Sequence, residues 1–389
     1  MKVKWLISGL IPLLLLIAVV AWVMINGAGI EKDPAAPIEV LNIERIKTTN
    51  NGFELSISNT GPEAITISQV IVNDSLWNFS VTPSETFKRF EEGTVTINYP
   101  WVYGDPHTIK LITENGIITE AQIAAATRTP ERSLSNFLNY GFIGFYVGVV
   151  PITLGLLWYP FMKRFSRKWI NAILALTVGL LLFLFIGTLV DGFEIGAAAP
   201  VVLQGNMVVI LGALLTFLFL IGFDQYQQKK QDKHVSSPLN ISLLMAIGIG
   251  LHNFGEGLAI GTSFSLGEAA LGTFLIIGFT LHNITEGIGI AAPLLKTSPR
   301  IRDFVLLGII AGTPAILGTW FGGFIFSPIL GALFLGIGAG AILQVIFVIT
   351  KMLINEHKKH LEPVASLLNL CGFTIGLLIM YLTAFFVKY

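Results

Sequence analysis

Between Trp5 and Asn26 the chain is almost wholly apolar, and eight more such runs follow, over approximately 139–160, 169–190, 200–222, 239–264, 268–294, 303–326, 328–350 and 364–387. Each has roughly the 20 residues that an α-helix needs to cross a hydrocarbon core. Between the first run and the rest the pattern changes. The segments IEVLNIERI, GFELSISNTG, ITISQVIV, GTVTINY and HTIKLITENGIITEAQI alternate apolar and polar positions, the period of half-buried strands. Asn115-Gly116 has the signature of a tight hairpin turn. The pattern predicts three parts: an N-terminal membrane anchor or signal over 1–26, a small antiparallel all-β sandwich with its linker over 27–138, and a polytopic all-α membrane bundle of eight helices over 139–389.

Composition supports a membrane protein: 53% of residues are hydrophobic, 12% are charged, and the mean hydropathy is +0.74. Net charge is zero and there is no long basic run, so no nucleic-acid partner is indicated. The single Cys371 excludes an intramolecular disulfide framework and any thiolate metal or redox motif, and is expected to fill a core position. Lys163, Arg164, Arg167 and Lys168 share one connection; Lys229, Lys230 and Lys233, then Lys296, Arg300 and Arg302, then Lys351, Lys358 and Lys359 occupy every second one after it. Basic connections face the cytoplasm, so the eight spans are expected to begin and end outside a cell membrane. Lys2 and Lys4 put Met1 in the cytoplasm and residues 27–138 outside, which agrees. An uncleaved anchor is the favoured reading of the first run; a cleaved signal peptide would give the same topology. Asn73 and Asn78 match glycosylation acceptors, a weak signal. His107 has no metal-ligand companion, so the β domain is expected to bind or shield a partner of unknown kind.

The chemistry lies in a repetition. HNFGEGLAIG (252–261) returns as HNITEGIGIA (282–291) on the next span. On a helix, His252 and Glu256 are four residues apart and share a face, with Asn253 three from Glu256; His282, Asn283 and Glu286 repeat the arrangement. Consecutive spans joined by a short connection are antiparallel neighbours, so the two polar faces can meet inside the bundle. Imidazole, amide oxygen and carboxylate suit zinc, iron, manganese or cobalt. The blander reading is helix-to-helix hydrogen bonding. Yet ionisable groups at mid-membrane cost on the order of 2.5–3.5 kcal/mol each on insertion scales, an expensive brace. Gly257 and Gly287 permit close backbone approach, and Gly255 and Thr285 are weak helix formers; both can also be ordinary small-residue packing sites.

HNFGEGLA and HNITEGIG resemble the paired signature helices of the ZIP family of divalent-metal transporters, and the resemblance extends over the eight spans from about residue 139 to 389. It implies a ZIP-like eight-helix core, outside termini, a cytoplasmic loop at 223–238, a homodimer, and a binuclear metal site between the fourth and fifth spans. Carried over by motif position, His252, Glu256, His282 and Glu286 form one site, and Asn253 and Asn283 share the glutamates at a second. The chain departs from the family in three places. Gly255 and Thr285 replace the common proline before each glutamate, AGTPAILG (311–318) lacks the carboxylate many members carry on the sixth span, and no acid occurs from Phe304 to Ile354. One bound ion is therefore expected rather than two. The loop has one histidine, His234, rather than a histidine-rich run, which argues against metal sensing there.

The function expected is import of a divalent cation, Zn²⁺ or Fe²⁺ or Mn²⁺, into the cytoplasm, with no cofactor and no catalytic residue. No GxxxxGK[ST] loop is present for ATP. Asp191 and Glu194 are candidates for an entrance field, and Gln344 for either an ion contact or, preferably, a helix-to-helix hydrogen bond. Two other classes stay open. An intramembrane zinc hydrolase would use the same ligands, though HExxH is missing; a metal sensor would report through the β domain.

Overall fold

The computed structural model describes residues 2–26, 38–123, 125–230, 237–265, 269–325, 327–360 and 363–388. The first apolar run is helix α1 (Lys2–Asn26), with Leu10 to Val23 exposed. His234 lies outside the described residues.

The β region is a two-sheet sandwich. One sheet has the order β1-β2-β7-β5, from Leu41–Thr49, Gly52–Asn59, Glu92–Asn98 and Phe79–Thr82. The other is β4-β3-β8-β9, from Ser75–Trp77, Ile65–Val72, His107–Thr113 and Ile118–Ile123, with β6 (Thr86–Phe87) against β3. The alternation explains the core: Phe53, Leu55 and Ile57 of β2 and Ile109 and Leu111 of β8 point inward and are fully buried. The short strands β4, β5 and β6 are additional to the alternating segments. Asn115-Gly116 lies in the β8–β9 hairpin, with Gly116 at φ +82°.

His107 belongs to this core. Its ring stands 5.3 Å from the centroids of both Phe53 and Tyr99, and Asn73 Nδ2 donates to its Nδ1 at 2.9 Å. Its Nε2 is buried without a partner. Asn73, one of the two glycosylation matches, is thereby engaged, and its Oδ1 also accepts from the Thr108 amide at 2.9 Å.

Among the described residues, eight helical segments are long and apolar enough to span a membrane. The first is broken into α2 (Leu134–Gly144), a π-helical turn (Phe145–Val149), α3 (Val150–Leu157) and α4 (Tyr159–Met162). Then come α5 (Arg167–Ala197), α6 (Gly205–Lys230), α7 (Pro238–Ser265) and α8 (Ala269–Ala291). The sixth span is also broken, into α9 (Ile301–Gly312) and α10 (Pro314–Phe324), and is followed by α11 (Pro328–His360) and α12 (Leu367–Lys388). Spans α7 and α11 are the most buried, α6 and α12 the least. Cys371, expected in the core, is instead exposed on α12, which has an outward apolar surface because it is peripheral.

Small residues set how closely α7 approaches its neighbours. A β-carbon on Gly257 would lie 2.2 Å from the Ala315 carbonyl oxygen, and one on Gly261 2.3 Å from that of Thr319. Reciprocally, Gly318 and Gly322 of α10 face the carbonyl oxygens of Phe254 and Leu258, each at 2.1 Å. Two facing GxxxG patterns thus bring the backbones of α7 and α10 into contact. The α8–α3 pair repeats the device, with Gly287 on the Ile152 oxygen at 2.3 Å and Gly155 on that of Ile284 at 2.1 Å.

Gly318→Val should force α7 and α10 apart and cost at least about 1–3 kcal/mol. Its melting temperature in detergent should fall well below wild type; an unchanged value would contradict the close packing. Burial also pushes the His107 pKa below its ordinary value, against a smaller opposing pull from Asp105. The fold then binds fewer protons than the unfolded chain, so stability at this ring should be lost as pH drops through about 6.5. Hydrogen exchange at β8, corrected for intrinsic rates, should quicken between about pH 7.5 and 5.5; constant protection would contradict it.

Candidate metal centre

Both HN..EG motifs fall within uninterrupted helix, α7 and α8, so the four-residue spacing does place histidine and glutamate on one face. His252, Asn253, Glu256, His282, Asn283 and Glu286 are all buried, none more than 5% exposed. The His252, Glu256 and His282 donor atoms lie within 4.8 Å of one another. Glu256 Oε1 is 2.5 Å from His282 Nε2 and 3.1 Å from His252 Nε2. Its Oε2 accepts from Asn283 Nδ2 at 3.0 Å. One carboxylate therefore draws in both histidines and one asparagine.

The second glutamate is treated differently. Glu286 is 2% exposed, within electrostatic range of Glu256 and close to Asn253, yet neither of its oxygens has an aligned hydrogen bond. The same is true of Asn253 Oδ1 and Asn283 Oδ1. Four buried acceptor oxygens thus remain without an aligned hydrogen bond around one point of the bundle, where each unsatisfied polar group costs about 1–3 kcal/mol and a charged one more. All four are oxygen donors of the kind that ligate a divalent cation.

What the two asparagines do with their NH₂ groups explains the broken spans. Asn283 Nδ2 also donates to the Val147 carbonyl at 3.1 Å. In a regular helix that carbonyl would receive the amide of residue 151, but residue 151 is proline and has no N–H. Asn253 Nδ2 donates to the Ala311 carbonyl at 2.9 Å, beside the break at Pro314. Each motif asparagine is therefore fixed by a carbonyl from a discontinuous neighbour, which directs its Oδ1 away from that bond. The motif helices themselves carry no break: Thr285 Oγ1 bonds back to the His282 carbonyl at 2.6 Å, and Gly255 lies against Leu335.

These contacts repeat with an approximate two-fold relation. The pair α7 and span six corresponds to the pair α8 and span one, in glycine packing and in the asparagine bond alike. The two pairs meet where a β-carbon on Gly148 would be 2.3 Å from the Gly312 oxygen. A motif written in the same order on antiparallel helices requires such an axis in the membrane plane.

Two further elements reach the centre. Thr188 of α5 approaches His252 Nδ1 through its hydroxyl at 3.4 Å. One turn on, Asp191 and Glu194 are exposed in the last two turns of α5, within helix rather than in a loop. Thr188, Val147 and Ala311 escape a motif search because two act through backbone oxygens; Pro151 and Pro314 were the available signals. Gln344 of α11 is fully buried with neither amide atom paired among the described residues, so no helix-to-helix bond is seen there.

The family model described as ZIP Zinc transporter matches residues 220–384, a stretch that contains both motif helices. Among curated proteins compared with the chain, none matches it.

Zn²⁺ titration of the purified chain should give saturable thermal stabilisation. Glu256→Gln and His282→Ala should each weaken it by about 10–100-fold or more, and Glu286→Gln by a comparable factor. Stabilisation unaltered in Glu286→Gln would remove that carboxylate from the ligand set.

Proposed function

We propose that this chain, a member of the ZIP zinc transporter family through residues 220–384, carries a divalent cation across the membrane through the centre between α7 and α8. Zn²⁺ is the first candidate; Fe²⁺ and Mn²⁺ accept the same nitrogen and oxygen donors. The direction proposed is from the side of the β sandwich to the side of the basic connections, the cytoplasm by the positive-inside rule. The β sandwich would then be extracellular, with residues 1–26 as its anchor and 139–389 as the transport unit in the cell membrane.

The observation that carries the reading is the set of four oxygens without an aligned hydrogen bond beside the His252, Glu256 and His282 cluster. A dication entering there would neutralise two buried carboxylates, satisfy Asn253 Oδ1 and Asn283 Oδ1, and take over His252 Nε2 from Glu256. His252, Glu256, His282 and Glu286 are proposed as its ligands, with Asn253 and Asn283 supplying amide oxygens. The field of Asp191 and Glu194 would raise cation concentration at the approach through Thr188.

Release needs the ligand geometry to change. The glycine-welded pairs, α7 with α10 and α8 with α3, are suited to move as units, each keeping its asparagine bonded to its own carbonyl. A shift of one pair against the other would separate Glu256 from His282 and loosen the ion, the usual logic of alternating access.

Uptake of labelled Zn²⁺ into proteoliposomes should be saturable, and Glu256→Ala with Glu286→Ala should abolish it. Binding without movement under every gradient tried would contradict transport.

A further inference from the structure

A second polar site lies far from the metal centre, where the β sandwich meets the end of span six. A cleft of about 290 Å³ is lined by Arg45, Lys47 and Glu54 of the sandwich, by Arg128, Glu131 and Arg132 of the connecting segment, and by Gly323 and Phe324 of α10. Its walls are fixed. Thr48 and Thr129 exchange bonds, Thr48 N–H to Thr129 Oγ1 at 3.0 Å and Thr129 N–H to the Thr48 carbonyl at 2.9 Å, pinning the connection to the edge of β1.

The charges do not balance. Lys47 stands opposite Glu54 in the β1–β2 register, and Arg128 pairs with Glu131. Among the described residues, neither Arg45 nor Arg132 forms an ion pair with a carboxylate. A bulge in β1 between Ile43 and Arg45 lets both Ile43 and Ile46 face the core while Arg45 turns to the cleft beside Lys47. Arg45 is partly buried, its Nε has no partner, and both burial and the nearby Arg132 guanidinium push its pKa below the ordinary value. Arg132 uses one N–H on the Phe324 carbonyl at 2.9 Å, which leaves the rest of its fork free. Next to Phe324, Tyr140 is 4% exposed and its hydroxyl is also unpartnered.

Two like charges held together at a partly dehydrated junction, with forked donors unused, call for an anion with several oxygens. We propose that this cleft binds a phosphate-type anion between Arg45 and Arg132. Guanidinium groups meet phosphate with two parallel N–H bonds each, and a phosphate has oxygens enough to serve both forks. The cleft opens where the apolar run of span one begins at Leu134 and α10 ends at Phe324, so a bilayer matched to these two spans would bring its headgroups to the cleft. A bound phosphate would cancel the repulsion between Arg45 and Arg132 and clamp the sandwich to α10, the helix welded to α7.

The test uses the full chain purified in phosphate-free detergent, with three additions: short-chain phosphatidic acid, diacylglycerol of the same chains, and inorganic phosphate. Melting temperature and native mass spectrometry are read for each. Phosphatidic acid should bind saturably and raise the melting temperature, and diacylglycerol should not. Arg45→Gln and Arg132→Gln should each weaken binding about tenfold, and Arg132→Lys, which keeps charge but loses the fork, by less. Phosphatidic acid acting alone supports a lipid headgroup; inorganic phosphate acting equally supports a free anion. In phosphate-free buffer Arg45→Gln should melt no lower than wild type, which separates loss of binding from loss of fold. No saturable binding of either phosphate compound, or affinity unchanged in both glutamine variants, would overturn the proposal.

Discussion

Glu256 and Glu286 are buried carboxylates in an apolar bundle, and the bundle brings histidines to only one of them, leaving Glu286 beside Asn253. An unpaired charge in such surroundings is far costlier than a hydrogen-bonded one, so a cation, or protons in its place, must complete the arrangement. The rest of the core follows from keeping both motif faces together. The glycines bring α10 and α3 close enough for backbone oxygens to reach the asparagines, and Pro151 and Pro314 interrupt their spans where those oxygens are wanted.

Residue identity at the centre was legible because its period is that of a helix and its chemistry is foreign to lipid. Two copies of histidine, asparagine and glutamate at fixed spacing specify which face of α7 meets which face of α8. Partner choice was not legible. Nothing in the repeated motif says that Glu256 would collect both histidines while Glu286 collects none, since that asymmetry arises from tertiary placement. The absence of proline before each glutamate is matched by tertiary structure that the motif does not encode: the discontinuities lie on the facing spans instead, next to the residues that the asparagines hold. Strands of two to four residues such as β4, β5 and β6 have too few positions for alternation to register. Cys371 was misplaced because apolarity in a membrane helix does not distinguish the lipid face from the core.

The sandwich and the bundle obey different solvent rules, and the junction between them shows it. The sandwich buries alternating aliphatic side chains and even its histidine, whereas the bundle relies on small residues and reserves polarity for its axis. Where they meet, Arg45 and Arg132 retain charge that neither part neutralises. Polar groups without partners therefore mark both proposed sites, the one between α7 and α8 and the one beside Phe324.

Anomalous diffraction at the zinc edge, from crystals of the full chain loaded with Zn²⁺, addresses the central claim most directly. The account predicts a peak between α7 and α8, about 2.0–2.2 Å from a Glu256 oxygen, a histidine nitrogen and a Glu286 oxygen. No peak between these helices at saturating Zn²⁺, with Glu286 still unpartnered, would contradict it.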